Sequence, residues 1–256
     1  SGLMVDGLGA EARCMQCHQG RESSVDVAAD IEDSEAEDDE VSSSLRFINI
    51  HYLSAAATLY GNQAQGGYQF EGKIYNNKFQ HVTGYQVCID CHDPHTTKIK
   101  VDECAACHTN VDPDGDDPYA DLHDIRMKRS NYDYDVDGNT TEGIAGEMEG
   151  MAANLLSAIQ QYAADALDNP ILYDGHNYPY FFNDTNGNGT ADDGEIARSN
   201  GFSSWTPRLL RAAYNYQYSQ KDPGAFAHNA RYMMQIMYDA IEHLNEHEDV
   251  TIANFE

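Results

Sequence analysis

Three segments of this chain share the form Cys-x-x-Cys-His: Cys14/Cys17/His18, Cys88/Cys91/His92 and Cys104/Cys107/His108. Together they use all six cysteines of the 256 residues. Two thiols at that spacing can add across the two vinyl groups of one haem, and the adjoining histidine is placed to ligate its iron. A Cys-x-x-Cys pair can also be half of a zinc site or a redox couple. Neither alternative asks for a histidine directly after the second cysteine, and all three copies carry one. The spacing therefore predicts three covalent, buried c-type haems with His18, His92 and His108 as proximal ligands.

A low-spin haem needs a second axial ligand, and eight histidines lie outside the motifs. His95, in Cys-His-Asp-Pro-His, is stiffened by Pro94 and directed away from its own haem. His51 falls on the apolar face of an expected helix, and His81 precedes Cys88 by seven residues. These three are the expected distal ligands, with His228 in reserve and His123 and His176 behind it. Haem iron favours imidazole, and paired histidines give low potentials. His243 and His247, among late glutamates, are expected to face solvent.

The elements that must position these groups divide the chain into a haem region, residues 1–110, and a helical region with acidic loops, residues 111–256. In the first, Asp30–Glu40 is expected to be a solvated acidic loop that holds the first haem apart. Leu45–Leu59 is expected to be a helix, with Ile48, His51, Tyr52, Ala55 and Leu59 on one face. Eleven residues between His92 and Cys104 make the second and third haems neighbours. In the second region, Ile144–Leu167 has helical periodicity. Thr206-Pro207 supplies an N-cap and a first-turn proline for the next helix, and Asp222-Pro223 repeats the device for the last. Its Met233, Met237, Ile241 and Leu244 form a core stripe. The expected fold is mainly α with extensive irregular loops, cored by haem, with little β structure. One Trp and eight Phe would otherwise leave a thin interior.

Two loops carry a different chemistry. Asp184, Asn186, Asn188, Thr190 and Glu195 match a calcium-binding loop, with Gly189 at its tight turn. Asp133, Asp135, Asp137 and Asn139 begin the same way, but Ile144 stands at the twelfth position, so Glu142 or Glu147 would have to complete a second site. Asp112, Asp114 and Asp116 form a weaker cluster. Calcium there would be structural.

Forty-three acidic against fifteen basic residues give a formal charge of −28. Such a surface excludes nucleic acid and repels anionic membranes. No run is long enough to span a bilayer.

With these features in place, the chain resembles multihaem c-type cytochromes of metal-reducing and sediment bacteria. The phrases that carry the resemblance are RCMQCHQGRES at 13–23, FINIHYLSAAATLYG at 47–61, CIDCHDPH at 88–95 and DPGAFAHNARY at 222–232. It implies an exported electron carrier that passes electrons to redox partner proteins or extracellular acceptors. Related cytochromes stack into filaments, sometimes with a histidine of one subunit ligating the next subunit's haem, so self-assembly is a further expectation. Haem attachment outside the cytoplasmic membrane implies an extracellular or cell-surface location, with the periplasm as the alternative. The chain begins at Ser1 without an initiator Met, which suggests an export leader removed or not included. The other functional reading is a reductase with one open haem acting on a small oxyanion, against which the negative charge counts.

Overall fold

The computed structural model describes residues 3–126 and 130–252. Ten α-helices occur among them: α1 (Ala12–His18), α2 (Ser24–Ser34), α3 (Ala55–Tyr60), α4 (Cys88–Cys91), α5 (Val101–Ala105), α6 (Ala120–His123), α7 (Ile144–Asp165), α8 (Pro207–Gln220), α9 (Ala225–His228) and α10 (Ala230–Asn245). A two-stranded antiparallel ribbon joins β1 (Ile171–Tyr173) to β2 (Phe181–Asn183), with Leu172 opposite Phe182. The predicted mainly α architecture with long loops is the one found.

The body is a bundle of α7, α8 and α10. Leu155, Ile159, Leu209, Ile236 and Ile241 are wholly buried within it. Contrary to the expectation of a thin interior, this core is large, because tyrosines build it. Tyr162, Tyr214, Tyr218 and Tyr232 are buried, and each hydroxyl has a partner. An aromatic ring supplies apolar area while its hydroxyl satisfies a buried polar group. Tyr214 Oη donates to Gly66 O (2.8 Å), and Gly67 N–H donates to Tyr232 Oη (3.0 Å). A Cβ on Gly66 would lie 2.3 Å from Tyr218 Oη, so only glycine lets this segment approach α8.

Thr206 caps α8 as predicted, its hydroxyl accepting from Leu209 N–H (3.1 Å) behind Pro207. The last helix starts later than Asp222-Pro223 suggested. That dipeptide opens only the single turn α9, and Asn229 caps α10 through Tyr232 N–H (3.2 Å).

Two local expectations fail for tertiary reasons. Residues 45–54 are not helical; helix begins at Ala55. Ile50 N–H donates to Gln217 Oε1 (2.9 Å), His51 N–H to Gly20 O (2.9 Å) and Ser54 N–H to Lys221 O (2.9 Å), so distant partners capture the donors a helix would use. The acidic stretch is not simply a solvated loop either. Its first part is α2, which buries Val27 and Ile31, and Asp38 and Asp39 pair with Arg211 (2.6 Å) and Arg208 (2.6 Å) of α8.

Val27, Leu45, Ile50, Ala57 and Tyr75 belong to the bundle's core. The packing boundary therefore does not follow the sequence boundary at residue 110. A second, small cluster of Val101, Val111 and Leu122 supports the third motif, and Phe226 of α9 touches both cores.

Candidate functional site

The first motif forms α1, the second forms α4, and the third runs from α5 into a turn ending at His108. A hairpin-like turn links the last two. Lys100 N–H donates to Cys91 O (2.9 Å), Asp93 N–H donates to Lys98 O (2.9 Å), and His92 bridges Ile99. Cys91 and Cys104 consequently lie close enough for their charges to interact, as the eleven-residue link predicts.

The first motif is not held apart, which corrects the sequence expectation. Cys14 lies within electrostatic reach of Cys88, and His18 within reach of His92 and His228. The physical reason is that α2 and the segment after it fold back on the bundle, returning the chain to α1. Glu11, buried at the start of α1, ties the two motifs by accepting from Cys88 N–H (3.2 Å) and pairing with Lys78 (3.8 Å).

The six thiols are not equally enclosed. Cys14, Cys88, Cys91 and Cys104 are half-buried, whereas Cys17 and Cys107 are exposed. The reason is local. Cys17 stands in the last turn of α1, and Cys107 in the turn after α5, its N–H donating back to Cys104 O (3.1 Å). Cys104 packs on the small cluster of Val101, Val111 and Leu122, but Cys17 and Cys107 lie outside both apolar clusters. One thiol of the first motif and one of the third therefore face solvent, while both thiols of the second are partly covered.

Cys88, Cys91 and Cys104 are not set up as nucleophiles, and the six sulfurs do not form a zinc cluster. Burial, reinforced by Glu11, pushes the Cys88 thiol up to about 12, and burial also raises Cys91 and Cys104. A reactive thiolate would need the opposite shift. Among the described residues no three Cys or His ligand atoms converge, and all six cysteines are free. The set does fit haem: Nδ1 of His18 is buried without a hydrogen-bond partner among the described residues, its pKa lowered first by burial and then by His228. Two free thiols and a histidine per segment complete each attachment unit.

The remaining histidines sort by geometry. His228 faces His92, with ring centroids 6.3 Å apart and planes at 34°. His81 faces His108 at 6.1 Å and 38°. His92 Nδ1 is 3.2 Å from Thr97 O, and His228 Nδ1 is 2.9 Å from both oxygens of Asp222, while Nε2 of each ring has no hydrogen-bond partner among the described residues. His51 is exposed, tethered to Gly20 two residues beyond His18. His95 is exposed, its backbone N–H donating to Asp93 Oδ1 (3.0 Å). His123 packs on Phe226 (5.0 Å). His243 is not at the surface as expected. Its side chain is 14% exposed and packs near Phe70, and burial followed by Arg208 and Arg211 lowers its pKa. His247 lies edge-on to Tyr162 (5.5 Å). The partnership of His228 with His92 was missed in sequence; the Asp222 and Gly224 that flank it in DPGAFAH were the available signal.

Both acidic loops are wrapped. In the first, Asp184 accepts from Gly187 and Gly189 N–H (2.7 Å each), and Glu195 accepts from Thr185 N–H (2.6 Å). Asn188 accepts from Thr190 N–H (2.8 Å) and Asn186 from Asn188 N–H (2.9 Å). In the second, oxygens of Asp133, Asp135 and Glu147 lie within 4.8 Å of one another, as do those of Asp135, Asp137 and Glu142. Asn139 follows through its N–H to Asp137 Oδ1 (2.6 Å). Glu147 is fully buried and pairs with Arg126, whereas Glu142 Oε1 is buried without a partner among the described residues. Burial, with neighbouring carboxylates, raises Asp135.

Three Cys-x-x-Cys-His segments folded next to one another, each with free thiols and a histidine, form the kind of site that a multihaem c-type cytochrome uses. The chain is 28% identical over 279 aligned residues, 94% of its length, to the C-type polyheme cytochrome OmcB of Geobacter sulfurreducens, and 29% identical over the same share to OmcC of that organism. It spans about a third of the length of these relatives (32% and 31%). No family model and no solved structure matches it.

Proposed function

We propose that this chain carries electrons through three covalent haems, each held between two histidines, in extracellular respiration. The observation that carries the reading is the pair of histidine couples. An imidazole–metal bond is about 2 Å and the ring centre lies about 1 Å beyond the nitrogen, so two imidazoles on one iron have centroids about 6 Å apart. His92/His228 and His81/His108 stand at that separation. His51, tethered beside the first motif, is the distal ligand proposed for the haem of His18. Bound haem supplies the one-electron couple; the chain fixes ligands, spacing and dielectric.

The proximities Cys14 to Cys88 and Cys91 to Cys104 support a first–second–third order of haems along one route. The exposed Cys17 and Cys107 fit that order, since the two outer haems are the ones that exchange electrons with partners. Self-assembly is the extension of this reading: His95 is exposed and free to reach a haem of a second copy. A filament lost in His95→Ala by electron microscopy would support it; filaments unchanged in that variant would remove it. The two acidic loops are proposed as calcium sites that brace the surface, with Glu142, whose Oε1 has no partner among the described residues, grouped with Asp135 and Asp137 at the second. Among the described residues no helix is long and apolar enough to cross a membrane, and the proposed location is the cell surface or beyond.

In the holoprotein, His228→Ala and His81→Ala should each convert one haem to high spin by electron paramagnetic resonance. Three low-spin haems in either variant would refute that assignment.

A further inference from the structure

The four imidazoles of the two couples do not have the same surroundings. His92 Nδ1 meets a neutral carbonyl, Thr97 O, at 3.2 Å. His228 Nδ1 meets a carboxylate: both oxygens of Asp222 lie at 2.9 Å. Neither His81 nor His108 has a carboxylate partner among the described residues. Asp222 is 3% exposed, and His228 is its ion-pair partner among those residues. The carboxylate is itself held, since Gly224 N–H donates to Oδ1 (3.2 Å). The ring has little room to turn, because a Cβ on Gly224 would stand 2.7 Å from its Cε1.

We propose that Asp222 is a positioning residue that orients His228 and sets the potential of the haem shared by His92 and His228 below those of its neighbours. The physical basis is the hydrogen bond behind the ligand. A carboxylate on Nδ1–H fixes the tautomer with Nε2 toward the metal and raises ligand basicity. A buried anion also favours the oxidised iron, which carries one more positive charge, and low dielectric strengthens that preference. The consequence is a central haem that gives up its electron more readily than haems whose imidazoles lack such a partner. This inference rests on the reading of His228 as an iron ligand.

The test is potentiometric titration of the holoprotein, followed in the visible spectrum, for wild type, Asp222→Asn, Asp222→Glu and His228→Ala. Asp222→Asn should keep three low-spin haems and shift the ferric-to-ferrous ratio of one haem at least tenfold toward ferrous, a rise of about 59 mV for a one-electron couple. Asp222→Glu should keep most of the wild-type potential. Three unchanged midpoints in Asp222→Asn would overturn the proposal. Three low-spin haems in His228→Ala would instead overturn the ligand assignment on which it rests. Should Asp222→Asn not accumulate as holoprotein, Gly224→Ala crowds the ring off the carboxylate while keeping the charge. It should raise the same midpoint, and an unchanged midpoint would count against the proposal.

Discussion

The bundle of α7, α8 and α10 and the segment that carries the second and third motifs are built by different means. The bundle buries whole aromatic and aliphatic side chains, from Leu155 to Trp205 and Tyr232, with their polar ends paired. Around the second and third motifs the buried apolar residues are Val101, Val111 and Leu122, and the helices there run four or five residues. Helices that short are not stable without packing. One region supplies its own interior; the other is arranged to receive one. The lesson is a division of labour in which protein core holds the scaffold and cofactor completes the site, with Phe226 and His228 of α9 at the seam.

The sharpest way to break this comparison is to prevent haem attachment by replacing all six cysteines with serine. Hydrogen exchange should then show residues 88–125 at unfolded-chain rates while α7, α8 and α10 stay protected. Equal loss in both regions would show that the bundle also depends on haem. Next in size, Leu155→Ala should destabilise the bundle by about 2–5 kcal/mol, as for other core truncations, in denaturant titration of the holoprotein. The haem spectrum should not change, and a changed spectrum would mean that the two regions are not separable.

Removing calcium from the two proposed sites should have a smaller effect. Ligand at about a hundred times its dissociation constant adds about 2.7 kcal/mol, so chelation should lower the thermal midpoint by about 5 °C. Identical midpoints with and without calcium would leave the loops as acidic turns. The smallest effect is on pH dependence. Burial opposes ionisation of Asp38 and Asp39, but Arg211 and Arg208 outweigh it and hold both below the usual carboxylate range. Their stabilisation is present above the ordinary carboxylate pKa and is lost as pH falls through the lowered native values. His243 beside them is depressed too, so its contribution starts to fall as pH drops below the ordinary histidine value. Glu246 and His247 adjoin the same cluster. Partly exposed pairs are worth about 1 kcal/mol or less. Arg208→Met should therefore flatten the acid limb of stability against pH by about that amount, and an unaltered limb would show the pairs contribute nothing.

How much of this was legible in the sequence differs between the same regions. The helices α7 and α8 were marked by apolar period and by Thr206-Pro207, because local signals and burial agree there. Residues 45–54 carried helical spacing, yet Gln217, Gly20 and Lys221 took their backbone groups, and no local pattern records partners so far along the chain. The motifs themselves were plain, since covalent chemistry dictates their spacing. Their mutual placement was not. The closeness of Cys14 to Cys88 depends on the whole intervening segment packing on the bundle, and His228 reaches His92 from 136 positions away. Nor does the motif say which of its two thiols will be covered: Cys17 and Cys107 read like their partners and differ from them only in what packs nearby. The acidic run suggested separation where tertiary packing brings the motifs together.

The most direct test is a residue-resolved map of iron ligands in the haem-loaded protein. The map should place His92 and His228 on one iron and His81 and His108 on another. A map with His95, a methionine or an open position opposite His92 or His108 would contradict it.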